Sequence, residues 1–504
     1  MDHKNPQGVE LVCKRHCPFY KPGTKEDMAC QGLKAIQSFI EAHPKSIAHF
    51  PPKKNNAFKD RYHHILHQSL CQYCDFFIDG CDFTDPEHTG HPSPCGGYMA
   101  ADLWLSESSR AGDQLLKSLF PREVYLALDP NCTLKHLETP YLYDIKDDEL
   151  YELDQGGFEF LKKCDGTHLL SGLSMDKHFL ETCLKEQLLV IESQKSHRCL
   201  LLRQSPIPSL RYLELQLTSR CNLTCKHCYL GEPTKAALSL SQVMSVLEEF
   251  ERMQGLRVLF SGGEPLLYPH LQALNDALPR FALRKVLLTN GTLVREENFP
   301  AWSHFDEIQF SLDGLKEGHE ALRGRGTFEQ TMAGIRGARD KGIPISIATM
   351  VHRYNLTEFE TLARWIADLQ TVEWSIDVPC ATGRLAENTG LLVTPEQGAP
   401  FLKYATGGSY HGADEAFACG YHLCTITAKG RILKCGFFDE SPLGSLKEGL
   451  EVSWKRARHL PLTELECASC PHLSDCKGGC RFRAESPLGK DPVMCALYAS
   501  QSAK

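Results

Sequence analysis

The 504-residue chain is 42% hydrophobic and 23% charged, the balance of a globular protein with room for roughly three or four domains. Its formal net charge of −8 gives no long-range pull toward nucleic acid or an anionic membrane surface. The polar Met1–Glu10 stretch lacks the apolar core of a secretory signal, and no apolar run approaches the ~20 residues that cross a bilayer, so the sequence reads as a soluble cytoplasmic protein.

The first segment, residues 1–105, is loop-rich and holds seven of the chain's 23 cysteines. At short spacings in a reducing compartment, clustered cysteines read as metal ligands rather than disulfides, and thiolates select zinc or iron–sulfur clusters. Here Cys71-x2-Cys74-x6-Cys81-x13-Cys95 suits a cluster or zinc, leaving Cys13, Cys17 and Cys30, with His16, His64 or His88 available to complete a set. A metal-free cysteine-rich fold is the alternative. The five scattered cysteines of the chain, Cys132, Cys164, Cys183, Cys199 and Cys380, read as small buried hydrophobes.

Residues 137–195 read as a small winged-helix-like module. Tyr141–Ile145 and Leu150–Leu153 bracket the polar Lys146–Glu149 as a hairpin. Phe158 and Leu161, then Leu180, Cys183 and Leu184, recur at helical spacing. Leu188–Ile191 returns to a strand.

From 208 to 392, short apolar strands alternate with longer helical stretches. The strands are Tyr212–Leu217, Val258–Phe260, Val286–Leu288, Ile308–Leu312, Ile343–Met350 and Val372–Val378. This alternation predicts parallel βα units, an α/β fold closing to an open, partial (βα)6 barrel. Active groups collect at the carboxyl ends of such strands, and there the first loop carries Cys221-x3-Cys225-x2-Cys228. Three thiolates cap three irons of a cubane that has four, leaving one iron open to a small molecule; a three-cysteine zinc site is the bland alternative. The second strand runs into Gly262-Gly263-Glu264-Pro265, where glycines permit close backbone approach and Glu264 can accept an ammonium.

The tail, 393–504, is rich in cysteine and glycine, with little periodicity. It carries Cys419-x10-Gly430-x4-Cys435, then Cys467-x2-Cys470-x5-Cys476-x3-Cys480, then Cys495. Paired zinc knuckles are the plain reading of such a pattern.

With these motifs in place, the region from about Leu213 to Arg384 resembles the radical S-adenosylmethionine (SAM) superfamily. The resemblance implies that Cys221, Cys225 and Cys228 hold a [4Fe–4S] cluster whose open iron is chelated by the methionyl group of SAM. Gly262, Gly263 and Glu264 would receive the methionyl amine, Ser311 and Asp313 would contact the cofactor, and His227 would lie near the adenine. Asp313, Arg323 and Arg325 read equally as solvated loop charges. The implied chemistry is reductive cleavage of SAM to a 5′-deoxyadenosyl radical, with electrons from a donor such as ferredoxin or flavodoxin. The tail resembles the SPASM extension, which implies two auxiliary [4Fe–4S] clusters: one on Cys467, Cys470, Cys476 and Cys495, the other on Cys419, Cys424, Cys435 and Cys480. Residues 137–195 resemble the PqqD-like element that captures leader peptides, implying a ribosomally made precursor peptide as partner and substrate. In the company of such machinery, the N-terminal thiols favour a further cluster over zinc. Sulfatase-maturing or cofactor-building chemistry, or a non-enzymatic electron-transfer scaffold, are the alternatives. Against sulfatase maturation, the aspartate that those enzymes place after the equivalent of Cys435 is Gly436 here.

Overall fold

The computed structural model describes residues 124–174, 176–407 and 417–502 continuously, and before them 10, 12, 14–16, 31–42, 60–72, 74, 81, 83, 93–106 and 110–120. In chain order the strands are β1 (Tyr125–Leu128), β2 (Cys132–His136), β3 (Pro140–Asp144), β4 (Glu149–Glu152), β5 (Asp165–Leu169), β6 (Leu189–Glu192), β7 (Tyr212–Thr218), β8 (Arg257–Gly262), β9 (Arg284–Thr289), β10 (Glu307–Ser311), β11 (Ile345–Met350), β12 (Trp374–Asp377), β13 (Leu423–Ile426), β14 (Arg431–Leu433) and β15 (Gly444–Ser445). The chain divides into two units, one of residues 1–134 with 153–200, the other of 135–152 with 201–504.

In the first unit, β1 is the centre of a three-stranded antiparallel sheet ordered β5-β1-β6. The helices Gln155–Leu161 and Lys177–Lys185 are each opened by an aspartate whose carboxylate accepts first-turn amides, Asp154 from Gly157 and Asp176 from His178 and Phe179, meeting the orphan donors of a helix start. Phe158, Leu161, Leu180, Cys183 and Leu184 are buried as their spacing predicts.

In the second unit the six predicted barrel strands form in the predicted places, all parallel, in the order β12-β11-β10-β9-β8-β7. The helix Leu240–Arg252 shows why. A capping box of Ser239 and Gln242 starts it, and Val243, Val246, Leu247 and Phe250 bury one face against the sheet, the spacing of an amphipathic helix.

Two arrangements differ from the sequence expectation. The predicted hairpin forms, with Tyr143 opposite Leu150, but it groups with the barrel and not with the β1-β5-β6 module. Tyr143, Ile145 and Leu137 pack on Leu256, and Arg284 donates to Ile145 O (2.8 Å) and Lys146 O (2.7 Å) while pairing with the buried Glu307 (2.7 Å). Those long-range contacts bind the hairpin more strongly than its neighbours in sequence do. The tail also joins the barrel sheet: β13 runs parallel to β7, and β14 and β15 extend the sheet antiparallel from it. Of the scattered cysteines, Cys132, Cys164 and Cys183 are buried, whereas Cys199 is exposed and Cys380 only half-buried. No helix among the described residues is long and apolar enough to cross a membrane.

Candidate active site

The carboxyl ends of the barrel strands bring the sequence motifs onto one rim. The cysteine loop leaves β7 at Thr218 and is clamped from β8. Gly263 N–H donates to Thr218 O (2.7 Å) and Glu264 N–H to Arg220 O (2.8 Å). A Cβ on Gly262, whose φ is +138°, would stand 2.3 Å from Thr218 O, and one on Gly263 would stand 2.4 Å from Arg220 O. The glycines therefore serve the close approach of the backbone leading to Cys221, a packing role apart from the expected approach to a ligand.

Glu264 is fully buried. Its carboxylate accepts from Thr289 Oγ1 (2.8 Å), Asn290 N–H (2.9 Å) and Leu266 N–H (3.1 Å), so it also ties the ends of β8 and β9 together. Burial pushes its pKa up, opposed by those hydrogen bonds. Asn222, inside the cysteine loop, donates to Thr292 Oγ1 (2.8 Å) and accepts from Asn290 Nδ2 (3.0 Å).

Asp313 and Arg323 are not solvated. Asp313 is fully buried, its Oδ2 is 2.5 Å from Arg323 Nε, and its Oδ1 accepts Met350 N–H (2.9 Å). Arg323 Nη1 reaches Cys225 Sγ at 3.9 Å, so one guanidinium joins the β10 loop to the cysteine loop. Arg325 is exposed, and Ser311 is half-buried at the end of β10. Burial raises the Cys221 thiol to about 11, with Glu264 and the other two thiols adding to the rise. Burial likewise raises Cys225, against the pull of Arg323. His227 is pushed down to about 3 by burial and then by Arg323, which keeps it neutral at pH 7. Its Nδ1, and the Nε2 atoms of His319 and His352, are buried without a hydrogen-bond partner.

On the lumen face, Glu214 of β7 accepts from Ser261 Oγ (2.7 Å), Thr425 Oγ1 (2.9 Å) and Tyr229 Oη (3.2 Å). Tyr229 follows Cys228 directly, and its ring lies 4.9 Å from Phe437, which stacks on Phe482 at 5.1 Å. A Cβ on Gly436 would stand 3.0 Å from Tyr229 Oη and 3.2 Å from Glu214 Oε2, so these side chains occupy the space a residue there would use.

In the tail, Cys419, Cys435 and Cys480 neighbour one another, with Cys424 near Cys435; Cys476 neighbours Cys467 and Cys470, and Cys495 neighbours Cys467 and Cys476. Cys424 is buried in β13. In the first unit, Cys71 is raised to about 12 by burial and by the neighbouring Cys95, Cys81 and Cys74. His64 is engaged by Glu181 at 2.9 Å. Cys13, Cys17, Cys30, His88 and the His16 side chain lie outside the described residues. Among the described residues, no three His, Cys, Asp or Glu side chains converge on one metal ion; a cubane takes each thiolate on a different iron. Residues that sequence reasoning missed include Asn222, Glu214 and Tyr229, whose types carry no signal until the loops are placed.

The chain fits a cluster with a nucleoside ligand. Three thiols share one loop, a guanidinium faces one of them, and three buried imidazole nitrogens await polar partners. Comparison with known proteins agrees. The Radical SAM superfamily model matches residues 215–366. The AdoMet-dependent heme synthase of Oleidesulfovibrio alaskensis is 31% identical over 332 residues, 56% of this chain and 85% of that protein. The mycofactocin maturase MftC of Mycobacterium ulcerans is 30% identical over 326 residues, 57% of this chain and 88% of that one. In fold, the crystal structure of Streptococcus suis SuiB bound to precursor peptide SuiA superposes with a TM-score of 0.53 at 16% identity, covering 73% of this chain and 98% of that one.

Proposed function

This chain belongs to the radical SAM superfamily, and from that premise we propose that it modifies a ribosomally made precursor peptide. When bound, the [4Fe–4S] cluster and SAM would supply the one-electron chemistry for removing a hydrogen atom from the substrate. Cys221, Cys225 and Cys228 would hold the cluster. Arg323 offsets thiolate charge beside Cys225, and the Gly262–Glu264 clamp fixes the loop. His227, neutral, would offer Nδ1 to the nucleoside. In the tail, Cys467, Cys470, Cys476 and Cys495 would hold one auxiliary cluster, with a second around Cys419, Cys435 and Cys480. Cys71, Cys74, Cys81 and Cys95 would hold a further cluster in the first unit.

The observation that carries the peptide reading is an edge strand beside a cavity. β6 ends its sheet and lines a cavity of about 400 Å³ with His67, Gln68, Gln72 and Asp129, the setting in which a peptide adds as a further strand. A relative named as a mycofactocin maturase and another named as a bacteriocin biosynthesis protein support the same reading. Asp129 N–H donates to Leu188 O at 3.0 Å, and antiparallel alternation then turns the Leu189 and Ile191 amides to the open edge. Ile191→Pro removes one such donor while sparing the ladder to β1. It is expected to weaken binding of a synthetic peptide, encoded by a short reading frame flanking the gene, at least ~10-fold, about 1.4 kcal/mol, with SAM cleavage unchanged. Undiminished binding by calorimetry would sink the peptide reading.

The heme synthase likeness favours a second reading, tetrapyrrole modification. Tight porphyrin binding in an absorbance titration, with no peptide binding, would support it.

A further inference from the structure

Four thiolates are needed to cap every iron of a cubane, and the tail supplies Cys419, Cys435 and Cys480 as three of one set. We propose that the fourth is Cys380, from the barrel, and not Cys424, which lies next in the tail's own cysteine pattern. The proposal rests on the reading that the tail holds auxiliary clusters.

Cys424 lies near Cys435 but sits on the apolar side of its strand. Its neighbour Thr425 donates to Glu214 on the lumen face, and successive strand residues point to opposite faces. Cys424 is paired in register with Leu213, is 0% exposed, and packs in the apolar layer that also holds Ile426, Leu450 and Trp454. Its thiol already donates to Leu433 O at 3.2 Å. As a cluster ligand it would have to give up that hydrogen bond and leave the apolar layer.

Cys380 stands beside one of the three, Cys480. It follows the end of β12, and its side chain neighbours that of Cys480. A clamp built by Arg483 fixes that meeting. Arg483 Nη1 binds Asp377 Oδ1 (2.6 Å) and Val378 O (3.0 Å) on the strand end. Its Nε and Nη2 grip both carboxylate oxygens of the buried Asp491 (2.9 and 2.8 Å), and Asp491 Oδ2 in turn accepts Cys480 N–H at 2.8 Å. One bidentate ion pair therefore holds the segment before Cys380 and the backbone of Cys480 in a single frame. The same guanidinium supplies positive charge next to both sulfurs, and the Phe482 and Arg483 amides point at Cys480, as suits a thiolate on a cluster of net negative charge.

The test uses the full-length chain, reconstituted anaerobically, with Cys380→Ser, Cys424→Val and Cys480→Ser made singly and folding checked by circular dichroism. Iron and sulfide are counted, and electron paramagnetic resonance is recorded after mild oxidation. Cys380→Ser and Cys480→Ser are each expected to lose about four irons per chain or to show a new three-iron signal, while Cys424→Val keeps the wild-type count and spectrum. Iodoacetamide mapping gives an independent readout: Cys380 resists alkylation only while iron is bound, and Cys424 resists until the protein unfolds. Iron loss in Cys424→Val, or a full count and unchanged spectrum in Cys380→Ser, overturns the assignment. If Cys480→Ser also keeps every iron, the auxiliary-cluster reading itself falls, and the assignment with it.

Discussion

Asp313→Ala is expected to cost about 3–5 kcal/mol of stability, the range found when one partner of a buried ion pair is removed. The carboxylate is completely buried between Arg323 and the Met350 amide. Without it the Arg323 guanidinium keeps its charge in a dry site, and its hold beside Cys225 is lost. Urea unfolding reads the stability, and iron content after reconstitution reads the effect on the cysteine loop; both should fall, and Asp313→Asn, which keeps the shape but not the charge, should fall nearly as far. The pH dependence has a definite sign. Burial alone would raise the Asp313 pKa, but Arg323, helped by His227 and His319, holds the carboxyl well below the usual carboxylate range. A carboxylate whose pKa is depressed by folding contributes stability above its unfolded pKa of about 3.9 and loses it as pH falls toward the folded value. The gap between wild type and Asp313→Asn should therefore be full at pH 7 and narrow below about pH 4. A gap that widened in acid would contradict the ion-pair account.

Gly263→Ala is expected to lower SAM cleavage by about 100-fold, the loss that a displacement of ~1 Å imposes on an aligned site. The new Cβ would meet Arg220 O at 2.4 Å, Arg220 C at 2.7 Å and Ser219 O at 2.9 Å. All three are backbone atoms of the segment that delivers Cys221, so the strain is relieved only by moving that cysteine. The stability cost of such overpacking is about 1–3 kcal/mol. Turnover to 5′-deoxyadenosine and the unfolding midpoint should therefore both fall. A variant with normal turnover would show that the loop tolerates a shift its hydrogen bonds to Thr218 and Arg220 do not suggest.

The sequence is legible where local pattern and tertiary role coincide. Tyr212–Thr218 alternates apolar and polar residues and Arg284–Thr289 centres on the apolar Val286–Leu288, and each lies within a residue or two of its predicted bounds. The cysteine loop and the Gly262–Glu264 turn are contiguous motifs, so their meeting at adjacent strand ends follows from the βα order. What stayed hidden depends on residues distant in the chain. Asp313 and Arg323 look like loop charges until β10 and the helix Lys316–Arg323 fold them onto each other. The hairpin of β3 and β4 was visible, but not its fastening by Arg284. Nor does the cysteine- and glycine-rich tail announce that β13 will pair with β7, because the four residues Leu423–Ile426 are too few to show a period. Cys380 has no cysteine close to it in sequence, and only the Arg483–Asp491 clamp reveals its company.

Everything turns on whether three loop thiols leave one iron free for SAM. The direct measurement is 5′-deoxyadenosine formed by anaerobically reconstituted, dithionite-reduced protein with SAM, set beside a variant in which Cys221, Cys225 and Cys228 are all alanine. Wild type should form it, and the variant should form none while losing about four irons per chain and keeping the rest. Equal product from both proteins, or an iron count unchanged by removal of the three thiols, would contradict the account.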